Sequence, residues 1–386
     1  MKKLLVVNTK YKISGGEDSS ILDELTFLEK KYKVHYLEFD NSKKLNFFDL
    51  LAFIFNSNYF SNKKLNEVIY KFKPDVAYVH NTWFIGNLGI FKILKNKKIN
   101  TILKLHNFRY DCSRYWLLKN HLRDNEFCPA CSLKNSKTRI FNKYFQESYF
   151  KSLFSIIYSK RYFKILKTFP IQILVFSKFH KTYLIDQGVK ESKLNIFYNP
   201  INLNSEKDIV YNPKSKYVVY AGRLTDSKGV YELIKTWNES NISGITLKII
   251  GKGDLERELI TKFNKDGVEF LGELSNSETI SYIKNSLAVL TATKMYEGQP
   301  RLLSEASNFG VPSIYPSFGG MDEFFPKNYS FSFRQYDYQS LKKQIENLKK
   351  TDDLSQESKK VYLYLNKKLD EELMHNLFYK IIQKEM

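Results

Sequence analysis

The strongest constraint on the fold of this chain is a repeated alternation of short apolar segments with longer amphipathic segments. Short apolar runs between helical stretches are typical of buried parallel strands. Such strands connect through right-handed βαβ units, so the sequence predicts an α/β protein with parallel sheets. The predicted strands are residues 4–8, 34–39, 75–80, 101–106, 171–176, 194–198, 217–221, 246–250, 268–271, 288–291 and 313–315.

A polar segment over residues 200–216 interrupts the alternation, and we interpret it as an interdomain linker. It separates two doubly wound halves, which predicts domains over residues 1–203 and 204–365 with a cleft between them. Ligands of such sheets bind beyond the carboxyl ends of the strands. The charged, helical pattern near the end of the chain predicts a helix over residues 366–386 that packs back on the N-terminal domain.

Composition excludes several classes of protein. Hydrophobic residues make up 43% of the chain and aromatic residues 16%, which is more than a disordered protein contains. Three cysteines are too few for a disulfide framework. No apolar run reaches the roughly 20 residues that span a bilayer, and the apolar start is too short for a signal peptide. We therefore expect a cytoplasmic protein.

The net charge of +20 comes from 61 basic and 41 acidic residues. Such an excess favours a polyanionic partner: nucleic acid, an anionic membrane or a phosphorylated substrate. A lysine-rich coding bias explains the same number without any partner. Total charge therefore leaves both interpretations open.

Residues 131–170 concentrate the positive charge around interleaved aromatic and aliphatic residues. A basic amphipathic helix of this kind suits an anionic membrane surface. Alternatively, its apolar face packs on its own domain and its basic residues are solvated. No nucleic-acid-binding motif accompanies it, so we expect no nucleic-acid partner. The basic residues are Lys134, Lys137, Arg139, Lys143, Lys151, Lys160, Arg161, Lys164 and Lys167, against the single acid Glu147.

The most informative motif holds two glutamates, Glu297 and Glu305, between a predicted strand and a predicted helix. Pro300 fits the beginning of that helix, where its missing N–H is harmless. If Glu297 precedes the helix, Glu305 lies about a turn and a half inside it. Both carboxylates can then face one ligand, and the helix N-terminus offers N–H groups to an anion.

This motif resembles that of retaining glycosyltransferases of the two-Rossmann (GT-B) fold, family 4 type, also described as glycosyl transferases group 1. Further segments resemble the same family in the same order. They are Gly15-Gly16, His106-Asn107, Ala221-Gly222-Arg223-Leu224 with Lys228-Gly229, Gly251-Lys252-Gly253, Phe270-Leu271-Gly272, and Gly319-Gly320 with Glu323. One departure is Arg301, where small or apolar residues are more usual.

The resemblance implies an enzyme that moves a hexosyl group from a UDP- or GDP-sugar to an acceptor with retention of configuration. It implies catalytic roles for Glu297, His106, Arg223 and Lys228. The donor would contact Glu305, Gly298, Gln299, Pro300, Gly15, Gly16, Gly222, Gly251 and Leu271. Arg223 and Lys228 suit a diphosphate leaving group, so we expect neither a metal nor another cofactor. No Asp-x-Asp pair is present.

With the basic segment, the resemblance indicates a glycan or polyprenyl-diphosphate-linked acceptor in bacterial surface polysaccharide synthesis. It also suggests peripheral contact with the inner face of the membrane. The alternatives are a nucleotide-sugar epimerase of the same fold and a non-enzymatic protein that binds membrane or nucleic acid. A Rossmann oxidoreductase is disfavoured because the loop after the first strand lacks Gly-x-Gly-x-x-Gly.

The cysteines form a separate candidate site. Cys112 precedes Cys128 and Cys131, and the Cys-x-x-Cys spacing with His121 nearby is compatible with zinc. A second Cys-x-x-Cys pair is missing, and a redox role lacks the thioredoxin-type context. The sequence leaves the purpose of these cysteines open.

Overall fold

The computed structural model describes residues 1–10, 16–41, 52, 55–108, 110, 148–201, 216–264, 267–349 and 351–384. The chain divides into two compact units. The first consists of Met1–Ile201 together with Glu371–Met386, and the second of Asn202–Asp370. Each unit contains a six-stranded sheet, and all strand pairs in both sheets are parallel. The prediction of two Rossmann-like α/β domains is confirmed.

The sheet of the first unit has the strand order β2-β1-β3-β4-β5-β6. Its strands are β1 (Lys3–Lys10), β2 (Lys33–Asp40), β3 (Val76–Val79), β4 (Asn100–Lys104), β5 (Gln172–Val175) and β6 (Leu194–Ile196). Its helices are α1 (Gly16–Glu29), α2 (Tyr59–Phe72), α3 (Gly89–Asn96), α4 (Tyr149–Thr168) and α5 (Lys178–Asp186). A short 3₁₀ helix covers Glu191–Lys193.

The sheet of the second unit has the order β12-β11-β10-β7-β8-β9. Its strands are β7 (Tyr217–Ala221), β8 (Thr246–Ile250), β9 (Val268–Gly272), β10 (Ala288–Leu290), β11 (Ser313–Ser317) and β12 (Ser332–Arg334). Its helices are α6 (Val230–Glu239), α7 (Glu256–Phe263), α8 (Asn276–Lys284), α9 (Arg301–Asn308), α10 (Tyr338–Asn347) and α11 (Thr351–Lys368), with 3₁₀ turns at Asp226–Lys228 and Met321–Phe324.

Local sequence explains where several elements begin and end. Strand β1 is buried along its length except at its two lysines, as expected for the interior of a parallel sheet. Asn58, Ser148 and Ser177 cap helices α2, α4 and α5 with side-chain oxygens that accept backbone N–H bonds. Ser275 and Glu278 form a capping box at α8. Among the described residues, no helix is both long and apolar enough to cross a bilayer.

The end of the chain returns to the first unit, as predicted. Helix α12 (Glu371–Gln383) places Met374, Phe378 and Ile381 in the hydrophobic cluster that also contains Leu4 of β1. The Phe378 ring contacts Tyr32, Tyr78 and Phe197, with centroid distances of 5.6, 5.3 and 5.2 Å. This helix therefore completes the apolar core of the first unit.

The boundaries differ slightly from those predicted at 203 and 365. Helix α11 runs unbroken to Lys368 and belongs to the second unit. The chain therefore passes from the second unit back to the first between residues 370 and 371. Strand β12 was not predicted, because its three residues, SFR, are too few to show the alternation of apolar and polar residues that identifies a strand. Most of the predicted linker, residues 202–215, lies outside the described residues.

We predict that Phe378→Ala destabilises the protein by about 3–5 kcal/mol, because the side chain is fully buried and its loss leaves a cavity. Urea unfolding followed by circular dichroism measures this change. The control is Tyr379→Ala on the same helix, where the ring is 52% exposed and the expected change is below about 0.5 kcal/mol. Equal effects from the two substitutions would contradict the packing role of α12.

Candidate functional site

The carboxyl ends of β7 and β8 approach each other so closely that only glycine fits. Gly251 has φ +129°, and a Cβ there would lie 2.1 Å from the carbonyl oxygen of Gly222. A Cβ on Gly253 would lie 2.2 Å from the carbonyl oxygen of Leu224. The Leu224 N–H donates to the Lys252 carbonyl at 2.9 Å. The predicted residues Gly222 and Gly251 are thus brought together at the strand ends, where both are partly exposed.

Lys228 is positioned by a second close backbone approach. It ends the 3₁₀ turn Asp226–Lys228, and Gly229 follows with φ +63°. A Cβ on Gly229 would lie 2.0 Å from the carbonyl oxygen of Ala292, just beyond β10. The loop after β7 is therefore held against the loop after β10, which carries the first glutamate of the motif.

The Lys228 ammonium contacts Glu297 directly. Its Nζ lies 2.6 Å from Oε1 of Glu297, and the two side chains are 23% and 22% exposed. The hydroxyl of Thr293 lies 3.4 Å from the same oxygen. Two predicted catalytic residues, 69 positions apart in the sequence, thus form one half-buried ion pair.

Glu305 is the second glutamate of the motif and lies inside helix α9. Pro300 is the N-cap residue of that helix, and the loop residues Gly298 and Gln299 precede it. Glu305 Oε1 accepts from Nε of Arg301 at 2.6 Å, with the side chains 13% and 21% exposed. The first-turn N–H groups of α9 lack intrahelical acceptors, so this end of the helix favours an anion. The unusual Arg301 therefore binds the motif's own carboxylate.

Arg223 and Leu271 lie at the ends of β7 and β9. The Arg223 side chain is exposed and forms no hydrogen bond or ion pair with the residues that the structure describes. Its carbonyl oxygen accepts from the buried Tyr220 hydroxyl at 2.9 Å, and burial raises the pKa of that hydroxyl. Leu271 is partly exposed in β9, next to Gly272, whose carbonyl accepts from Gly251 N–H at 2.7 Å.

Lys294 makes a further contribution that the motif analysis did not assign. Its Nζ bridges Asp226 Oδ1 at 2.7 Å and Glu232 Oε1 at 2.8 Å. Burial opposes its charge, but the two carboxylates outweigh burial and raise the pKa of Lys294. Its backbone N–H also donates to the Ser227 carbonyl at 3.0 Å. Lys294 therefore fixes the turn that carries Lys228.

The remaining predicted residues belong to the first unit. Gly16 begins α1, while Gly15 lies outside the described residues. His106 follows β4, and its Nε2 lies 2.9 Å from Nδ1 of His80, which follows the neighbouring strand β3. Asn107 Nδ2 donates to Glu17 Oε2 at 3.5 Å. The residues Gly16 and His106 thus lie at the carboxyl end of the first sheet.

Around His106 the structure shows a small polar pocket. Glu17, Asn81, Trp83, Asn107, Tyr158 and Tyr162 line it together with the two histidines, Lys104 and Leu105. The Tyr158 hydroxyl lies 3.1 Å from Thr82 Oγ1. Sequence analysis identified His106 but not His80, although both follow predicted strands that become neighbours in the sheet. This shared position at the end of a strand could have identified His80 from the sequence.

Beneath this pocket lies a buried ion pair. Lys104 Nζ contacts both carboxylate oxygens of Glu24 at 2.8 Å, and the side chains are 0% and 1% exposed. The Tyr78 hydroxyl donates to Glu24 at 2.7 Å. Burial, and then the charge of Lys104, lower the pKa of His106 well below its usual range. Both histidines are therefore neutral at physiological pH.

The basic aromatic segment is described from residue 148 onward, as helix α4. Its apolar face packs within the first unit through Tyr158, Tyr162, Ile165 and Leu166. Its basic side chains are exposed, and so are Tyr149 (54%), Phe150 (73%) and Leu153 (40%) near its start. The apolar face thus packs on its own domain, while one end of the helix exposes aromatic surface beside basic residues.

The candidate zinc ligands Cys112, Cys128 and Cys131 lie outside the described residues. Within the described ranges, no cluster of three or more histidine, cysteine, aspartate or glutamate side chains could hold a metal ion.

Comparison with known families and relatives agrees with the sequence motifs. Residues 203–361 match the family model "Glycosyl transferases group 1". The chain is 31% identical over 149 residues to the amylovoran biosynthesis glycosyltransferase AmsD of Erwinia amylovora, which covers 37% of this chain and 42% of that protein. It is 22% identical over 263 residues to an uncharacterized 41.2 kDa protein in the cps region of Klebsiella pneumoniae, covering 65% of this chain and 62% of the relative. Both matches span less than two thirds of the relative.

The fold is shared with solved structures. The crystal structure of Anabaena Alr3699/HepE in complex with UDP and glucose aligns with a TM-score of 0.67 at 15% identity, covering 98% of this chain and 99% of that chain. This likeness shows the GT-B fold. Residues 203–361 thus match glycosyl transferases group 1, and the solved structure shares the two-domain fold of the chain.

The buried histidines predict a loss of stability as pH falls. Burial lowers the pKa of His180 to about 3, and it also lowers those of His80 and His106 below the ordinary 6.5. The unfolded chain therefore binds more protons below pH 6.5, and the stabilisation present above that pH is lost as pH falls. We expect the free energy of unfolding to drop by about 1.4 kcal/mol per histidine between pH 7.5 and 5.5. Urea melts at the two pH values measure it, and equal stabilities would refute it.

Proposed function

We propose that the protein is a glycosyltransferase of the GT-B fold, family 4 type, that transfers a hexosyl group from a UDP- or GDP-sugar with retention. The observation that carries this proposal is the Lys228–Glu297 ion pair at the strand ends of the second unit. It joins a cation suited to a diphosphate with a carboxylate suited to sugar hydroxyls, beside a backbone that glycines leave accessible.

In the proposed reaction, the bond between the anomeric carbon and the diphosphate oxygen breaks while the acceptor oxygen bonds to the same carbon from the same face. The departing diphosphate oxygen takes the acceptor's proton, so no enzymatic nucleophile is required. Negative charge grows on the diphosphate, and Lys228 and Arg223 stabilise it. Lys228 then exchanges Glu297 for the diphosphate, while Glu297 turns to hydroxyls of the transferred sugar.

The other motif residues complete the donor site. Glu305 accepts from the ribose hydroxyls, and the loop of Gly298, Gln299 and Pro300 borders the sugar and the phosphates. The first-turn N–H groups of α9 add to the positive potential. We propose that these groups suffice without a metal or another cofactor, which predicts activity that persists in EDTA.

Two observations support the donor and the pathway. Anabaena HepE has been crystallised with UDP and glucose, which favours a UDP-sugar. AmsD is named for amylovoran biosynthesis, and the Klebsiella relative is encoded in a cps region. We therefore propose surface polysaccharide synthesis, with a glycan or polyprenyl-diphosphate-linked acceptor.

We also propose a cytoplasmic enzyme that touches the inner face of the membrane peripherally. Helix α4 supports this, since Phe150 and Leu153 are exposed near its start and Lys160, Lys164 and Lys167 are exposed further along. Aromatic side chains insert at the headgroup level and lysines attract anionic lipid.

The donor site is tested by titrating the protein with UDP and GDP in a calorimeter. We expect Lys228→Ala to weaken nucleotide binding by roughly tenfold to a hundredfold, because a charge-assisted contact of about 1.5–3 kcal/mol is lost. Glu297→Gln should retain UDP binding and lose transfer of the sugar. The matched control is Lys235→Ala, an exposed lysine of α6, which should bind like wild type.

The outcomes separate the alternatives. Failure of the wild-type protein to bind either nucleotide refutes the transferase, as does unchanged binding by Lys228→Ala. Conversion of a UDP-sugar into its epimer without an acceptor would favour the epimerase instead.

Membrane contact is tested by flotation with anionic vesicles. We expect the triple variant Lys160→Glu, Lys164→Glu and Lys167→Glu to lose at least a hundredfold in vesicle affinity, at about 1 kcal/mol for each lysine near the surface. The control carries the same charge change on exposed lysines of the second unit, as Lys235→Glu, Lys343→Glu and Lys349→Glu. Equal losses of vesicle affinity in both variants would show that binding depends on total charge and not on helix α4. If the wild-type protein does not float with the vesicles, the proposed membrane contact is refuted.

A further inference from the structure

The two histidines at the carboxyl edge of the first sheet form one hydrogen-bonded unit. Nδ1 of His80 and Nε2 of His106 are 2.9 Å apart, and the ring centroids are 5.2 Å apart. One nitrogen of the contact must carry the proton and the other must accept it. The contact therefore couples the tautomer of each ring to that of the other.

Both rings are neutral, so each carries a single N–H. His80 is 2% exposed, and the buried ammonium of Lys104 is an unfavourable neighbour for a second positive charge. The other charged and titratable groups around the pair are Glu24, Tyr78, Glu17, Tyr158 and Tyr162. Glu24 already neutralises Lys104 through both of its oxygens. No carboxylate among the described residues is bonded to either imidazole, so nothing in this part of the chain compensates a protonated ring.

Only two arrangements of the protons satisfy the contact. In the first, His106 donates from Nε2, and His80 then carries its proton on its own Nε2. In the second, His80 donates from Nδ1, and its Nε2 is a bare lone pair. Nε2 of His80 is buried and has no hydrogen-bond partner in the described part of the chain. Buried N–H groups without an acceptor are rarer than buried acceptors without a donor, which favours the second arrangement.

The second arrangement has a consequence for the pocket. Because Nε2 of His106 accepts from His80, the proton of His106 must lie on Nδ1. That nitrogen has no hydrogen-bond partner among the described residues, and His106 lines the pocket with Trp83, Asn107 and Tyr158. His106 thus presents a neutral N–H donor, beside groups that suit a hydroxyl-bearing ligand.

We propose that His80 is a positioning residue that fixes His106 in the Nδ1–H tautomer, so that His106 donates a hydrogen bond to a sugar hydroxyl that enters this small pocket. The inference rests on the proposed function for the identity of the ligand. In this role His106 is a hydrogen-bond donor and not a general base.

The tautomers are measured on the intact protein, without substrate, by ¹⁵N–¹H correlation spectra of selectively ¹⁵N-histidine-labelled protein. The chain has six histidines, and His80→Asn and His106→Gln assign the two signals. We expect both rings to be protonated on Nδ1. Protonation of both rings on Nε2 overturns the proposal, whatever the enzyme's activity.

Transfer kinetics test the positioning role. His80→Phe removes the donor and should reduce kcat/KM roughly tenfold, the worth of one hydrogen bond, while UDP affinity stays within twofold. In His80→Asn the amide nitrogen can replace Nδ1, so most of the rate should return. Equal losses in the two variants, or a loss of UDP affinity in either, would show that His80 is merely structural.

The proposed function and the role of His80 can be refuted independently of each other. If the wild-type protein binds no nucleotide and transfers no sugar, the proposed function is wrong while the tautomer result stands by itself. If the protein transfers sugar but its histidines carry Nε2–H, the function stands and the role of His80 is wrong.

Discussion

The first unit depends on one charged side chain that is entirely removed from water. Lys104 lies in a central strand with 0% exposure, between the rings of Phe176 and Phe197 at 5.1 and 4.9 Å. Desolvating an ammonium costs several kcal/mol, and only a paired carboxylate in good geometry offsets that cost. Glu24 of α1 supplies it, so the ion pair fixes where α1 lies against the sheet. The position of α1 in turn places Gly16 and Glu17 at the strand ends.

In the second unit, several loops meet at the carboxyl ends of the strands. Contacts between the loops are made by backbone atoms, since a Cβ on Gly229, Gly251 or Gly253 would collide with a backbone carbonyl. The charged groups then occupy the remaining space in pairs: Lys228 with Glu297, Arg301 with Glu305, and Lys294 with Asp226 and Glu232. Lys228, Lys294 and Arg301 are thus each held by a carboxylate in the structure.

Much of this arrangement was predictable from the sequence, and the exceptions have physical causes. The strands were predictable because buried parallel strands are continuous apolar runs. The glutamate motif was found because a strand, a loop and a proline-started helix follow one another locally. The partners of Lys104 and His106 were not found, because Glu24 and His80 are distant from them in sequence. The pairing of β3 with β4 brings His80 to His106, whereas Glu24 reaches Lys104 from helix α1. Lys104 interrupts an apolar run, and nothing in the strand pattern around it indicates that its side chain is buried.

Arg301 departs from the pattern of the family that the motif resembles, and the structure gives a physical reason for the arginine. From sequence it was an arginine where the family that the motif resembles more usually has small or apolar residues. In the structure its Nε binds Oε1 of Glu305 one helical turn later. Glu305 therefore meets any ligand hydroxyl with one oxygen already engaged by a cation. In the proposed reaction this pairing weakens the repulsion between Glu305 and the nearby phosphates. A substitution of Arg301 would then act on the nucleoside through Glu305, rather than on the diphosphate directly.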